Sequence, residues 1–545
     1  MLDFIKKHLN WIMAISLSML NIALSSRYMG FVMFDPDPWI ALYGAKRILE
    51  GQLLYKNFFD FITPGTDYML AGVFYIFGLK LTVAHMAVIL ANAIVVSIVV
   101  FISFDMIKNK WLGLLPGLLF SLYSPYYYYV SHHWFILLPV ILALLTGTKN
   151  VKEHAHKTHN WFFTGLATAG AFLFIQSIGF TLFGMILLFI IWYYTADRLR
   201  VKPILQPLLY YSAGFMIPLI LVVICFALSG SLGAFIYDSF LWPFSHYRVI
   251  NLSTPYAILR LLVRELSSEG IIMGLIYAFI AYFGIVLSFI SFLHAVINLQ
   301  KKKSAELSLM AFVSFFCMGI IIGLLPNPPA FHLMVFLPVY MLAVIVIFEY
   351  APFWSSRIVR AGFYFYFVSI TVVISYNAYR FFIAYSRPLN AVEAFQTPIG
   401  KVKMFKEYKY LPISYPYSFL NELPMKLPKY IFVMYWSPSI YLLTGTDNPT
   451  PLNTYMPYYN TKGQAMSVIQ ALKSNHTDLV IMDNAIEFVK HIGWWVQDPR
   501  VFSPDDPIVK YINSHYRLEK IIPGYRIYRL MSPVKKNEAL PPPCL

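Results

Sequence analysis

Two aspartates early in the chain have the residue type and spacing to do chemistry. Asp35 and Asp37 are separated by Pro36 and followed by Pro38. A carboxylate held near a low-dielectric boundary is expected to have a raised pKa, which suits proton abstraction from a hydroxyl group. Asp35 could orient a second reactant, or it could join Asp37 in holding a divalent cation. The alternative is that both carboxylates are solvated groups of an amphipathic linker.

The residues that follow predict a helix and a loop that would position these carboxylates. Trp39–Glu50 has apolar residues at helical spacing, carries Lys46 and Arg47 at polar positions, and is followed by Gly51. This pattern is typical of a helix that lies in the plane of a membrane surface. A loop containing Asp60 comes next, and apolar residues then resume. The stretch from 34 to 68 therefore predicts a reaction site at a membrane surface.

The composition places the chain among integral membrane proteins. Of its 545 residues, 59% are hydrophobic and only 12% are charged. The net charge of +16 does not indicate a nucleic-acid partner, because the basic residues lie mainly in short loops between apolar runs and so report topology. The three cysteines are scattered and give neither a disulfide framework nor a metal-ligand spacing. No internal repeat is apparent.

Hydropathy predicts about eleven membrane-spanning segments. They cover residues 11–33, 81–104, 111–129, 134–147, 161–175, 178–194, 205–229, 270–298, 307–325, 331–350 and 361–384. The 161–194 stretch could instead be a re-entrant pair that turns near residues 176–179. The first run could be a cleaved secretory signal, but apolar residues resume at 28–34 and favour an uncleaved span.

Basic residues predict the orientation of the chain in a plasma membrane. Six basic loops fall on one side of the predicted spans, which makes that side cytoplasmic and places the N-terminus there. The loop 34–68 and everything after about residue 385 are then extracytoplasmic. We expect residues 1–384 to form the membrane domain and residues 385–545 to form a soluble outer domain. Strands and helices alternate in the outer domain, which predicts a small α/β fold.

The other predicted outer loops are rich in aromatic and histidine residues. They include Tyr247, Arg248 and His332. Most of the aromatic residues fit an interfacial belt. Polar residues at membrane depth usually face a cavity or a partner, so the histidines are candidates for a site. Zinc is one interpretation of the histidines at 132, 133, 246 and 332, but they have no ligand-spaced motif.

The order of these features resembles a known enzyme class. The matching residues are Asp-x-Asp after the first span, Ala45–Gly51, Phe59-Asp60 with Thr63-Pro64-Gly65, and an apolar segment that ends at Phe77-Gly78. A weaker match recurs at Tyr435–Gly445 in the outer domain. The chain is similar here to the GT-C class of membrane glycosyltransferases, particularly bacterial relatives of protein O-mannosyltransferases and of the lipid A aminoarabinose transferase. The similarity is most specific over residues 30–80.

The resemblance implies a fold of many membrane helices with an outer soluble domain. It also implies a polyprenyl-phosphate sugar as donor and an essential acidic residue in the first outer loop. Asp37 matches that residue, although Pro38 stands where the class usually has Glu. Asp60 matches a second acidic position, but no base follows it. The group that holds the lipid phosphate must come from elsewhere, and the candidates by chemistry are Lys46, Arg47, Lys56, Arg248 and His332.

The predicted function is therefore transfer of a sugar from a lipid phosphate to a hydroxyl of a glycan, lipid or protein acceptor. Asp37 would be the general base, Asp35 its companion, and Asp60 and Tyr247 part of the donor site. No cofactor is required, since phosphate can leave without a second acid, although Asp35 and Asp37 leave room for a divalent metal. The alternatives are a transporter or flippase for lipid-linked sugars and a non-enzymatic assembly protein.

Overall fold

The computed structural model has a helical part up to residue 385 and a mixed α/β part after it. The residues it describes are 2–32, 36–126, 130–152, 158–195, 201–247, 271–297, 304–324, 330–350, 357–385, 392–405, 420, 422, 427–435, 437–456, 460–483, 505–522 and 524–531. Asp35 and Arg248 lie outside these ranges, as do most of the residues predicted to link the span 205–229 to the span 270–298.

The helices of the first part follow the apolar runs closely. They are α1 (Leu2–Ser25), α2 (Pro36–Leu49), α3 (Gly65–Phe77), α4 (Leu81–Met106), α5 (Lys110–Tyr123), α6 (His132–Phe135), α7 (Leu137–Lys152), α8 (Trp161–Phe174), α9 (Gln176–Thr195), α10 (Val201–Leu228), α11 (Leu232–Ile236), α12 (Ile271–Ile297), α13 (Ala305–Leu324), α14 (Ala330–Val335), α15 (Leu337–Tyr350) and α16 (Arg357–Tyr385).

Each of the eleven predicted spans overlaps a helix, or two helices joined at a kink, within the described residues. Within the described ranges, six segments are long and apolar enough to cross a membrane by length and composition. Helix α8 ends and α9 begins around Ile175, where the sequence predicts a turn. The number of crossings and their orientation remain predictions.

Small residues let the helices of the bundle pack closely. A Cβ added at Gly165 in α8 would lie 2.1 Å from the carbonyl oxygen of Tyr211 in α10. A Cβ at Gly319 in α13 would lie 2.9 Å from the Cα atom of Leu182 in α9. Glycine is therefore required for the close approach of both helix pairs. Helices α13 and α15 lie at the centre of the bundle, since most of their side chains are buried.

The C-terminal part contains a four-stranded mixed sheet with the order β3-β4-β6-β5. Its strands are β3 (Ile431–Met434), β4 (Leu479–Asp483), β5 (Tyr516–Ile522) and β6 (Tyr525–Leu530), and its helices are α17 (Ser439–Thr444), α18 (Lys462–Ser474) and α19 (Pro507–His515). Strands β3 and β4 are parallel because α18 connects them as a crossover. The antiparallel β5–β6 hairpin turns at Gly524, whose φ of +86° suits glycine. The predicted alternation of strands and helices is present.

A second, two-stranded sheet precedes this fold and was not predicted. Strands β1 (Val392–Thr397) and β2 (Gly400–Phe405) form an antiparallel hairpin. The hairpin is tied to the segment after α1, because the amide of Lys403 donates to the carbonyl of Gly30 at 2.7 Å and its carbonyl accepts from the amide of Val32 at 3.0 Å. The start of the C-terminal part is thus joined to the start of the helical part. The division at residue 385 remains a prediction.

Candidate active site

Helix α2 lies between the membrane bundle and the C-terminal sheet domain. Residues 41–47 of this helix are all buried. Lys46 Nζ donates to Asp447 Oδ1 at 2.6 Å and pairs with Glu50 Oε1 at 2.7 Å. The Tyr43 ring stacks on Tyr441 with 4.8 Å between centroids. The basic side chains expected on a water-facing side of α2 are therefore covered, because the loop after α17 supplies their partners.

Arg47 connects α2 to both neighbouring loops. Its guanidinium donates to the carbonyl of Thr450 at 3.1 Å and to Asn453 Oδ1 at 3.0 Å in the C-terminal domain. It also donates to Gln52 Oε1 at 2.8 Å and lies 4.6 Å from the centre of the Phe58 ring. Several hydrogen bonds in the plane of the guanidinium, with an aromatic ring against its face, use the planar shape of arginine. The side chain holds the loop after α2 against the domain.

Asp60 is buried in the loop between α2 and α3. It is 8% exposed, and its Oδ1 atom accepts the amide hydrogen of Ile62 at 2.9 Å. Burial raises the pKa of this carboxyl to about 6, and hydrogen bonds from the amides of Ile62 and Phe61 oppose the rise. A carboxyl that titrates near neutral pH can both accept and return a proton.

A second buried carboxylate, Asp67, lies in the first turn of α3. Its Oδ1 atom has no hydrogen-bond partner among the described residues. Burial, followed by the nearby charge of Asp60, raises the pKa of Asp67 well above its usual range. The carboxylate fits against α2 only because residue 44 is glycine, since a Cβ there would come within 2.0 Å of Asp67 Oδ1. The first turn of α3 and the middle of α2 thus meet at this oxygen.

Asp238 brings a third carboxylate to the same place. It lies in a π-helical turn, Tyr237–Leu241, a conformation often found at functional sites. Burial and the charge of Asp60 raise the pKa of Asp238 to about 7. The turn is fixed by Gln176, whose Nε2 atom donates to the carbonyls of Ser239 at 2.9 Å and Phe61 at 2.8 Å. We refer to Asp60, Asp67 and Asp238 as the acidic cluster.

Aromatic rings pack around the residues that carry the acidic cluster. The Trp242 ring lies 5.1 Å from that of Phe59 and 5.4 Å from that of Phe61, and the His246 ring stacks on its face at 5.7 Å. Tyr55 closes the loop from inside, since its hydroxyl donates to the carbonyl of Ile62 at 2.6 Å. Its φ of +66° is uncommon for a bulky residue. Aromatic walls with a few converging polar groups are typical of small-molecule sites.

Asp37 lies in the first turn of α2 and is half-buried. It precedes Gly44 by seven residues, which places both on the same face of the helix, with about 10 Å between their Cα atoms. Asp37 is therefore on the side of α2 that meets Asp67. Its role remains a prediction.

The other predicted site residues are distributed around this region. Lys56 Nζ donates to the carbonyl of Ser229 at 2.9 Å, on the surface of the loop. His332 lies in α14, with its ring centroid 4.1 Å from that of His133. Tyr247 ends a second π-helical turn, but its side chain, like Asp35 and Arg248, lies outside the described part of the chain. None of the predicted roles of these residues is tested.

A metal site was considered for the histidines and for the two aspartates of the first loop. Among the described residues, no group of three or more His, Cys, Asp or Glu side chains could hold a metal ion. Asp35 is not among the described residues. The structure brings together three of the four histidines considered from the sequence, and His246 lies apart from them against Trp242.

Sequence reasoning missed Asp67, Asp238 and Gln176. Asp67 follows Thr63-Pro64-Gly65 closely and looks like an ordinary acidic residue in the first turn of a helix. Asp238 and Gln176 belong to segments more than 100 residues further on, and only the packing of α8, α9 and α10 brings them to the loop. The signal available in the sequence was their polarity inside apolar surroundings, which often marks a site in a membrane protein.

No protein-family model and no curated protein sequence matches this chain. Among solved structures, the fold is similar to ArnT from Cupriavidus metallidurans bound to undecaprenyl phosphate. The TM-score is 0.48 and the identity is 11%, and the match covers 95% of this chain and 97% of that one.

Proposed function

We propose that this chain is an integral membrane glycosyltransferase that transfers a sugar from a polyprenyl-phosphate donor to an acceptor hydroxyl group. The reaction would take place at the end of the bundle that carries the sheet domain, on the extracytoplasmic side of a plasma membrane. The observation that carries the proposal is the convergence of Asp60, Asp67 and Asp238 in one buried cluster beside α2.

Three buried carboxylates close together lower the stability of the fold, so their presence suggests a chemical role. Each loses hydration, and their charges repel one another. With pKa values of about 6 for Asp60 and about 7 for Asp238, protons can be exchanged near neutral pH. Perturbed carboxyls that cluster in a cleft are characteristic of functional sites, and purely structural networks seldom leave an oxygen such as Asp67 Oδ1 without a partner.

The position of the cluster suits one lipid-soluble and one water-soluble reactant. The loop 52–64 contacts helix α10 on one side, since Tyr55 packs on Phe226 with 5.1 Å between ring centroids. On the other side the amide of Phe59 donates to the carbonyl of Pro451 in the sheet domain at 2.8 Å. A donor with a polyprenyl tail could enter from the bilayer, and an acceptor from the domain side. The partly exposed rings of Phe59 and Phe61 would pack on the apolar face of a sugar, and the buried Trp242 ring would support them from behind.

In the proposed reaction Asp37 accepts the proton of the acceptor hydroxyl. The acceptor oxygen attacks the anomeric carbon, the bond from that carbon to the phosphate oxygen breaks, and polyprenyl phosphate leaves with the electron pair. The sugar changes configuration, because attack and departure occur on opposite faces. Asp60 would hold sugar or acceptor hydroxyls by hydrogen bonds. Asp37 is assigned as base from the resemblance and from its place on the same face of α2 as Gly44.

The test is sugar transfer by the purified chain with a labelled polyprenyl-phosphate sugar. We expect Asp37→Asn to lower the initial transfer rate by about 10²–10⁴ at equal protein abundance, because asparagine cannot accept the proton. Asparagine caps a helix about as well as aspartate, so a capping role for Asp37 predicts a near-normal rate. Near-normal transfer by this variant would remove Asp37 from catalysis.

Two controls complete the experiment. Asp478→Asn changes an exposed carboxylate in the sheet domain and should leave the rate unchanged. Counting labelled donor on each side of sealed vesicles separates an enzyme from a flippase, since a flippase moves the donor without cleaving it. If the wild-type chain moved the donor across the bilayer and released no sugar, the glycosyltransferase proposal would fail.

A further inference from the structure

Two distant segments of the membrane domain share one sequence pattern. His133–Val140 and His332–Val339 both follow His-x4-Leu-Pro-Val, a local repeat that was not recognised from the sequence. In each segment a short helix ends and a longer one begins, α6 with α7 and α14 with α15. Pro139 and Pro338 explain the break, because proline has no amide hydrogen for the carbonyl four residues earlier.

The two matching kinks bring three histidines together. The ring centroids of His132 and His133 are 4.0 Å apart, and those of His133 and His332 are 4.1 Å apart. The His133 side chain is only 8% exposed. Residues almost 200 positions apart in the sequence thus form one compact group of imidazole rings, which we call the histidine trio.

A buried hydroxyl group directly precedes the histidine trio in the chain. Ser131 precedes α6 at the helix-capping position, yet its side chain makes no capping hydrogen bond. Its Oγ atom is buried and has no hydrogen-bond partner within the described part of the chain. A buried hydroxyl group without a hydrogen-bond partner lowers the stability of the fold. A bound ligand with an acceptor atom would supply the missing hydrogen bond.

The chemistry of these groups selects an anion with several oxygen atoms. A neutral imidazole donates one hydrogen bond and an imidazolium donates two, and a serine hydroxyl also donates one. Imidazolium rings about 4 Å apart repel one another, so the trio can carry more than one positive charge only if an anion is bound. A phosphate group offers enough acceptor oxygens for all four side chains, and its charge strengthens each hydrogen bond.

The end of helix α8 lies between the histidine trio and the acidic cluster and contacts the segments that carry both. Phe135, two residues after His133, packs on Phe174 with 6.2 Å between ring centroids. The end of α8 in turn touches the start of α3, where a Cβ added at Gly65 would lie 2.5 Å from the carbonyl oxygen of Leu173. Asp67 follows Gly65 by two residues. The trio and the carboxylates therefore occupy the same end of the bundle.

We propose that the histidine trio and Ser131 bind a phosphate group, carried by a polyprenyl lipid or free in solution. That this is the phosphate of the sugar donor rests on the proposed function. Of the five candidates that the sequence offers for this role, His332 belongs to the trio, whereas Lys46 and Arg47 are occupied by the sheet domain. Histidine and serine would thus take the place of a lysine or arginine in holding the leaving group.

The experiment measures equilibrium binding of radiolabelled polyprenyl phosphate to the full chain in detergent, with polyprenol and inorganic phosphate as competitors. We expect the His332→Gln variant to bind about tenfold more weakly, as for the loss of one hydrogen bond to a charged group. Ser131→Ala should weaken binding several-fold and removes only one oxygen atom, so it guards against a folding defect. His159→Gln, at an exposed histidine, should bind like the wild type.

Each outcome decides the matter. Loss of polyprenyl phosphate binding in both variants supports the site with a lipid ligand. If only inorganic phosphate binds and the same variants lose it, the phosphate site stands and its ligand is free phosphate. Unchanged binding in both folded variants, equal binding of polyprenol and polyprenyl phosphate, or binding of neither phosphate compound overturns it. A wild-type chain that binds polyprenyl phosphate through these residues but transfers no sugar would refute the proposed function alone.

Discussion

Replacing Asp60 with asparagine should make the protein more stable at neutral pH while damaging its activity. The pKa of this buried carboxyl is about 6, compared with 3.8 for the ordinary group, because burial disfavours the charged form. The folded state therefore binds the proton more tightly than the unfolded state. Between pH 3.8 and 6 the native chain holds more protons, so its stability falls as the pH rises through this window.

The size of the effect follows from the two pKa values. Their difference lowers the free energy of unfolding by about 3 kcal/mol at pH 7.5, and by about half of that at pH 5. Asparagine keeps an oxygen that can accept the amide hydrogen of Ile62, so the existing hydrogen bond need not be lost. Removing the charge should therefore raise the free energy of unfolding at pH 7.5 by most of this amount.

The assay is thermal unfolding in detergent, followed by tryptophan fluorescence from pH 5 to pH 8. The unfolding temperature of Asp60→Asn should exceed that of the wild type at pH 7.5, and the gap should narrow as the pH approaches 5. Asp478→Asn, at an exposed carboxylate, should show no such gap. A gap that does not vary with pH, or an asparagine variant that is less stable at pH 7.5, would refute the reasoning. Sugar transfer by Asp60→Asn should be impaired, as expected where stability and activity conflict.

Three further predictions concern the surroundings of the site. Gly44→Ala should abolish sugar transfer, because the added Cβ would displace Asp67 Oδ1. Gly72→Ala is the control and should be active, because the space around Gly72 is open. Equal activity of both variants would exclude a role for the close contact between Gly44 and Asp67. Asp447→Ala should lower the free energy of unfolding by about 1–3 kcal/mol, because Lys46 loses a hydrogen-bonded charged partner. Limited proteolysis should then release the sheet domain faster than in the wild type. An unchanged rate of proteolysis would contradict this prediction. A reporter enzyme fused after residue 400 should be active only outside the cytoplasm, and cytoplasmic activity would reverse the predicted topology.

Hydropathy predicted the helices well because it is a local property of the sequence. Each apolar run of about 20 residues became helical, since a buried or lipid-facing backbone must satisfy its own hydrogen bonds. The kinks at Pro139 and Pro338 are also local, although the repeat that contains them was overlooked. Strands β3 and β4 are short apolar runs that are buried throughout, and β5 and β6 are joined through the turn signal Pro523-Gly524 of the sequence. The hairpin β1–β2 was overlooked, although Lys401, Val402, Lys403 and Met404 alternate between exposed and buried positions, as expected for a strand with one covered face.

The candidate site was predicted only in part because most of its contacts are long-range. Asp60 was identified from the resemblance, and the structure finds it buried. Lys46 and Arg47 looked like solvent-facing or phosphate-binding residues, since nothing near them in the sequence indicates that residues 447–453 cover them. Asp238 and Gln176 join the site through helix packing alone. Local patterns specify which elements form, and tertiary contacts decide which side chains meet.

The attachment of α2 to the sheet domain has a consequence for biosynthesis. Lys46 and its partner Asp447 are 401 positions apart in the sequence. At the usual rates of synthesis, α2 would leave the ribosome roughly 20 to 80 s before its partner exists. During this interval the first loop would lack one of its two supports. Under the proposed function, a nascent or truncated chain would be unable to use the donor until the segment 447–453 that holds α2 had been made.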